Sequence, residues 1–421
     1  MTAPEPVRGS SPLAYPVFRA LWLSGVVSFI GSFVQNVGEA WLMLDLTKSP
    51  LAASLLTAVM VGTSVVWMLP AGVLADRYDK RKVLIASQIV QGVAALLMAA
   101  LSYTHHITPA SLLLGVALLG TGMALGVPAW GALNPELLPR ELVAEAVAMN
   151  AVAFNIARAI GPAIGGLVLD RFGATTSFLL NAASFGVVLI PLFVYLKAKL
   201  VGADDMPPAS VKPMSSAFGG PLTTIRNDDD LRSIFRAMFL FSLGAGMFYA
   251  LTPAFGKETL HATAREYGIM IGMMGTGAVV GAAALKRLRP RIPPRLLIGS
   301  TMLLFGVCAL VIANLPTIGL AMIGFVPAGA GWIGSFSSVA ALNQVWAPAR
   351  LRARIIALYQ LVHLSTWTIA AIAGGAIAER FGVRVAMSIG AVVCVLASIS
   401  TFRVGLPPSF TGSVQRDAHR A

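Results

Sequence analysis

The sequence predicts an all-α membrane protein: twelve transmembrane helices in two pseudo-symmetric six-helix bundles. Three observations carry the prediction. Of 421 residues, 57% are hydrophobic and only 12% charged, with a mean hydropathy of +0.78, whereas soluble domains hold about 25% charged residues. Apolar runs bounded by loop residues have centres near Ile30, Thr63, Val93, Gly122, Asn155, Phe185, Leu243, Thr276, Phe305, Ala330, Ser365 and Val393, each long enough to cross a bilayer as a helix. A shift of about 209 residues maps separate segments onto one another, the internal symmetry of a duplicated membrane protein. Gly72 falls on Gly281, the basic loop 77–82 on 286–291, Asn134 on Asn343, Pro139 on Pro348, and the run 165–173 on 374–382.

A net charge of +13 would suit nucleic acid, but a binder of phosphate backbones gathers its cations on one folded face. Here the cations follow the loops, so no nucleic-acid partner is expected. Taking the loops alternately, roughly 24 of the 31 Lys and Arg fall on one side and roughly six on the other. That asymmetry predicts a multi-pass protein of the cell (inner) membrane with both termini cytoplasmic. Cys308 and Cys394 lie inside apolar spans without metal-ligand spacing and read as small core residues. Neither a disulfide nor a metal site is expected.

Residues 1–16, rich in Pro, Ser and Ala, predict a flexible cytoplasmic tail. No signal peptide is evident, and the first span is followed at once by a second, so it is expected to stay as an anchor. The N-terminal bundle is expected over 17–196 and the C-terminal one over 231–402. Residues 197–230, with four prolines and the run Asp228-Asp229-Asp230, predict a cytoplasmic linker. Residues 403–421 complete the chain as a second cytoplasmic tail.

Span one carries Ser28, Ser32, Gln35, Asn36 and Glu39 at three- and four-residue spacing, one stripe of a helix. A polar stripe in a membrane helix faces protein or water. Glu39 is the most informative member, because a carboxylate at depth is costly and is relieved by taking up a proton. The alternative is a position near the outer interface, since Asp45 and Lys48 follow within two turns. Span two ends in Gly72-Val-Leu-Ala-Asp76-Arg77-Tyr-Asp79-Lys80-Arg81-Lys82, where six charges in seven residues mark a tight cytoplasmic loop. Asp76, Arg77 and Arg81 are read as an inner latch, or as a topology signal alone. Glu136, at the end of span four, is a candidate bridge to Arg77 or Arg81, although exposed pairs often contribute nothing measurable.

Span five combines Asn150, Asn155 and Arg158 with the small-residue seam Gly161-Pro162-Ala163-Ile164-Gly165-Gly166. Such a seam makes either a bendable contact at a gate or plain close packing. Arg158 is well inside the bilayer and needs an anion or an equivalent: Glu39, backbone carbonyls or an anionic substrate. In the second half Tyr249 lies on span seven, and Tyr359, His363 and Trp367 share one face of span eleven. His363 is either a group titrating near neutral pH or a hydrogen-bonded structural residue. Trp367 and Tyr359 are candidate walls for an aromatic or lipophilic substrate.

These residues resemble a known family over nearly the whole chain. Gly72-x-Leu74-Ala75-Asp76-Arg77 with Arg81 and Lys82 is similar to the signature between helices two and three of major facilitator superfamily transporters. Gly161-Pro162-x-x-Gly165-Gly166 resembles the helix-five signature of that superfamily's exporters. Trp41-Leu42, Leu46-Thr47-x-Ser49-Pro50, Pro128-Ala129-Trp130 and Asn155-Ile156-Ala157-Arg158 resemble the transmembrane secretion effector branch, which includes the enterobactin exporter. The chain departs from the pattern at Asp79, where glycine is usual, and at Ala157. Its second-half loop has Leu285 opposite Asp76.

The resemblance implies the major facilitator fold and a secondary carrier driven by an ion gradient. Efflux of a small lipophilic or siderophore-like molecule in exchange for protons is the expectation, with uptake of a metabolite and a non-transporting scaffold or sensor as alternatives. Gln35, Asn36, Glu39, Asn155, Arg158, Tyr249, His363 and Trp367 are the expected substrate or proton residues. Gly72, Asp76, Arg77, Arg81, Glu136, Gly161, Pro162, Gly165 and Gly166 are the expected gating residues. No phosphate-binding Gly-rich loop ends in Lys and Ser or Thr, and no nucleophile, base and orienting group converge, so neither a cofactor nor an enzyme activity is expected. The expected partners are a small-molecule substrate, protons and the lipid bilayer, with the protein a monomer.

Overall fold

The structure, a computed structural model, describes residues 11–194 and 215–410. The described residues are helical throughout: α1 (Pro16–Thr47), α2 (Pro50–Arg77), α3 (Lys80–Tyr103), α4 (Pro109–Leu137), α5 (Arg140–Val194), α6 (Ser215–Asn227), α7 (Asp229–Ala254), α8 (Ala264–Leu288), α9 (Pro294–Asn314), α10 (Ile318–Trp346), α11 (Arg352–Phe381) and α12 (Val383–Val404). Eleven helical stretches are long and apolar enough to cross a membrane. Of the expected tails and linker, residues 1–10, 195–214 and 411–421 lie outside the described residues. Ser215–Asn227, expected as linker, is helix α6.

Local chemistry sets where the helices begin. Proline, which has no N–H to leave unpaired in a first turn, opens α1, α2, α4 and α9. Thr108 and Thr263 close capping boxes with Ser111 and Glu266. Asp79 caps α3 by accepting from the Arg81 and Lys82 amides. Its departure from the family pattern therefore has a structural use.

All twelve expected centres fall inside helices, two of them in α5. That helix is 55 residues long but is broken at Gly173 (φ 77°, ψ 175°), so Asn155 and Phe185 stand on different segments. Gly382, between α11 and α12, has nearly the same backbone (φ 89°, ψ 154°). The region is almost closed to residues with a Cβ. Gly173 and Gly382 are mates under the 209-residue shift, so the repeat extends to an uncommon backbone conformation.

Two compact units divide the chain, Met1–Glu39 with Val66–Ser210 and Ala40–Val65 with Val211–Ala421, the division falling inside α1 and α2. In the first unit α3 packs on α4 and α5. One core cluster joins Leu21, Leu84, Ala129, Leu133, Val188 and Leu192, and a second joins Phe18, Leu138 and Ala146. In the second unit α10 packs on α8 and α9, and α12 on α7 and α9. Its centre is aromatic: fully buried Phe305 meets Phe241 and Phe248 edge-on at 5.4 and 5.6 Å between ring centres.

In the first unit, α5 approaches α1 closely from both of its segments. A Cβ added at Gly161 of α5 would stand 2.6 Å from Phe33 Cβ, and one at Gly165 would stand 2.9 Å from Val34 Cα. An adjacent side of α1 meets the second segment of α5, where a Cβ at Gly31 would fall 2.5 Å from Ser184 Oγ and one at Gly38 3.0 Å from Ser177 Cβ. The seam in span five is thus a tight helix contact, while Gly72 has open space around its missing Cβ.

Gly165→Val is expected to lower the melting temperature of the purified protein in detergent, because overpacking costs about 1–3 kcal/mol, while Gly72→Ala leaves it unchanged. Gly173→Ala and Gly382→Ala are each expected to destabilise by about 1–3 kcal/mol through backbone strain alone, read in the same melts.

Candidate functional site

Gln35 and Glu39 are four residues apart on α1 and point into the same buried layer, Gln35 fully enclosed and Glu39 5% exposed. The Gln35 amide donates from Nε2 to Glu39 Oε1 at 2.7 Å, and its Oε1 accepts from Asn181 Nδ2 at 2.7 Å. Asn181 Oδ1 in turn accepts from Ser184 Oγ at 3.0 Å and from Ser32 Oγ at 3.5 Å. The hydrogen bonds run one way, from hydroxyl to amide to amide to carboxylate. Amide groups keep their protons under ordinary conditions, so this chain does not conduct one. It orients Glu39 and commits Oε1, in surroundings where an unsatisfied polar group would be expensive.

Of the expected stripe on α1, Ser32 and Gln35 join the chain to Glu39, and Asn36, three residues before Glu39, is exposed. Asn181 and Ser184, absent from the sequence-based site, complete it. They stand about 146 residues from Gln35 in the chain, and a helical Asn in an apolar run has no local pattern that announces its partner.

On the first segment of α5, Arg158 is half-buried with its guanidinium carbon 5.8 Å from the centre of the Phe154 ring, a cation–π distance. Phe154 is wedged against α1, edge-on to Phe29 at 5.4 Å and tilted on Phe33 at 5.6 Å. Asn155 donates back to the Ala151 carbonyl of its own helix at 2.8 Å. Gly161, Pro162, Gly165 and Gly166 are buried between these residues and the break. The α2–α3 loop leaves Arg77 exposed and Arg81 half-buried. The side chains of Asp76 and Glu136 lie outside the described residues.

The second unit carries a different surface. His363 Nδ1 and Ser242 Oγ share a hydrogen bond of 2.8 Å between α11 and α7. Around it stand Tyr249, Trp332, Phe336 and Trp367. Trp332 lies 5.1 Å from Trp367, 5.0 Å from Phe336 and 5.6 Å from Tyr249, and Phe336 lies 5.0 Å from His363. Tyr249, Phe336 and His363 are half-buried and Trp367 is buried. Tyr359 stands one helical turn off and packs edge-on against Phe235 at 5.8 Å. Trp332 and Phe336 were invisible as site residues because two aromatics four apart in an apolar run read as core.

A family model described as transmembrane secretion effector matches residues 8–419. The enterobactin exporter EntS of Shigella boydii serotype 18 is 26% identical over 93% of this chain and 89% of its own length, and EntS of Escherichia coli O1:K1 gives the same figures. Among solved structures, a bacterial homolog to the human lysosomal transporter Spinster, inward-facing and unoccupied, has a TM-score of 0.74 at 16% identity, covering 94% of this chain and 98% of that one. The chain therefore belongs to the transmembrane secretion effector family, within the major facilitator superfamily of membrane transporters.

Proposed function

We propose that the protein is a proton-coupled exporter of a small lipophilic or siderophore-like molecule, working by alternating access between two six-helix bundles. The twelve-helix count follows from reading α5 as two spans joined at Gly173, as α11 and α12 are joined at Gly382. The excess of cations in alternate loops supports an inner-membrane protein with both termini cytoplasmic.

One observation carries the reading: Glu39 is a buried carboxylate held by a single amide donor. An ionised carboxylate is costly out of water, so its charge is tolerated when the site is wet and its proton is favoured when the site is closed. That alternation is what a coupling residue needs. In the second unit the aromatic wall of Tyr249, Trp332, Phe336, His363 and Trp367 would supply apolar contact for the cargo; in the first, Arg158 is the candidate charge. Similarity to exporters supports the outward direction.

Everted membrane vesicles from cells producing the protein, energised and offered a panel of lipophilic and catechol-bearing compounds, are expected to accumulate at least one of them. An uncoupler should abolish the accumulation. Glu39→Gln is expected to remove gradient-driven accumulation while melting close to the parent, and normal accumulation by this variant would take Glu39 out of the mechanism. Depletion of the compound from energised everted vesicles, in place of accumulation, would instead indicate uptake into cells.

Gln35→Leu takes the donor from Glu39 Oε1 and the acceptor from Asn181 Nδ2 and is expected to destabilise the fold, at about 1–3 kcal/mol per buried unsatisfied group. Phe336→Ala is expected to raise the apparent KM by about 2- to 10-fold with little change in kcat, the range that follows from losing an aromatic contact.

A further inference from the structure

In the second unit α8 and α10 run side by side in the same direction and in register. A Cβ added at Gly277 would collide with the Val326 carbonyl, and one at Gly281 would stand 2.7 Å from Ala330 Cα. The same step carries Arg289, the residue that ends α8, to Ser337 and Ser338 of α10. Its Nη2 donates to Ser337 Oγ, and to Ser338 Oγ at 3.4 Å. Each hydroxyl accepts here and keeps its own hydrogen to give. Arg289 Nε, by contrast, is buried with no hydrogen-bond partner.

The segment after α12 closes over this guanidinium. Gly405 (φ 85°, ψ 167°) turns the chain, and Pro407 is buried. Trp346 Nε1, at the end of α10, donates to the Ser409 carbonyl at 3.1 Å. That hold sets the Phe410 ring 5.8 Å from the guanidinium carbon, a cation–π distance. The ring shelters the charge, and Nε still lacks an acceptor.

The surroundings are of one sign. Residues 286–295, 350–354 and 403–410 hold nine Lys and Arg and no Asp or Glu, whereas the loops 74–82 and 134–145 of the first unit mix their cations with five acids. Among the described residues no carboxylate pairs with Arg289. A bias of loop charge that sets topology accounts for exposed cations. It does not account for one folded inward beneath a ring, where a guanidinium N–H without an acceptor is costly. Nε and Nη2 form a planar fork suited to two oxygens of one anion, and two hydroxyls stand beside it to donate to the same group.

We infer that Arg289, Ser337 and Ser338 form a site for a phosphate ester at the loop end of the second unit, covered in this structure by Phe410. The headgroup of an anionic phospholipid and a soluble phosphate ester share the chemistry that the site recognises. Either reaches Nε when the segment 405–410 lifts.

The test uses the purified full-length protein in a non-ionic detergent, stripped of lipid and titrated calorimetrically with glycerol 3-phosphate and, separately, with dihexanoyl phosphatidylglycerol. Saturable binding of the first assigns the site to a soluble ester, and binding of the second alone assigns it to lipid. Arg289→Gln is expected to weaken binding about tenfold or more, the scale of a lost charge-assisted pair. Arg287→Gln removes the same charge from an exposed neighbour and is expected to change binding little. Phe410→Ala is expected to tighten it about two- to fivefold by removing the cover. If detergent melts show that Arg289→Gln has not folded, Arg289→Lys, which keeps the charge and loses the fork, decides in its place and is expected to bind more weakly than the parent. Binding of neither probe, or equal losses in the Arg287 and Arg289 variants, would overturn the site, and a Phe410→Ala protein that binds no tighter would overturn the cover. Neither result depends on accumulation in everted vesicles, so the site and the carrier reading stand or fall separately.

Discussion

The arrangement of the first unit depends on α1 being gripped on two sides at van der Waals limits. Gly161 and Gly165 bring the first segment of α5 onto the Phe33 and Val34 face, while Gly31 and Gly38 admit Ser177 and Ser184 from the second. In this packing Gln35, Asn181 and Glu39 are buried and hydrogen-bond to one another. The packing and the hydrogen bonds are then mutually dependent: loosening either face would expose donors and acceptors whose partners are fixed by the other. The position of the carboxylate is a product of this grip.

The two units carry different chemistry. One holds a carboxylate, its amide chain and a cation over an aromatic ring. The other assembles rings around His363.

Much of the fold was legible in the sequence because the constraints that specify it are local. Hydrophobic runs end where bilayer-length helices end, and the shared offset picked out Gly173 and Gly382 before their backbone angles were known. Glu39 was also legible, since a carboxylate in an apolar run has few innocuous explanations. The rest was hidden by distance along the chain. Asn181 and Trp332 each gain meaning from a partner far away in sequence, Asn181 and Gln35 being 146 residues apart. Asp79, which looked like a defect in a loop motif, is a helix cap.

The breaks at Gly173 and Gly382 join consecutive helices through a single residue rather than through a strand of loop. A protease therefore has no extended segment to bind at either corner, and an inserted epitope has no slack to occupy. Tagging and limited digestion would have to target elsewhere, for instance the exposed turn at His105 and His106 between α3 and α4, where the backbone is already outside the helical ladders.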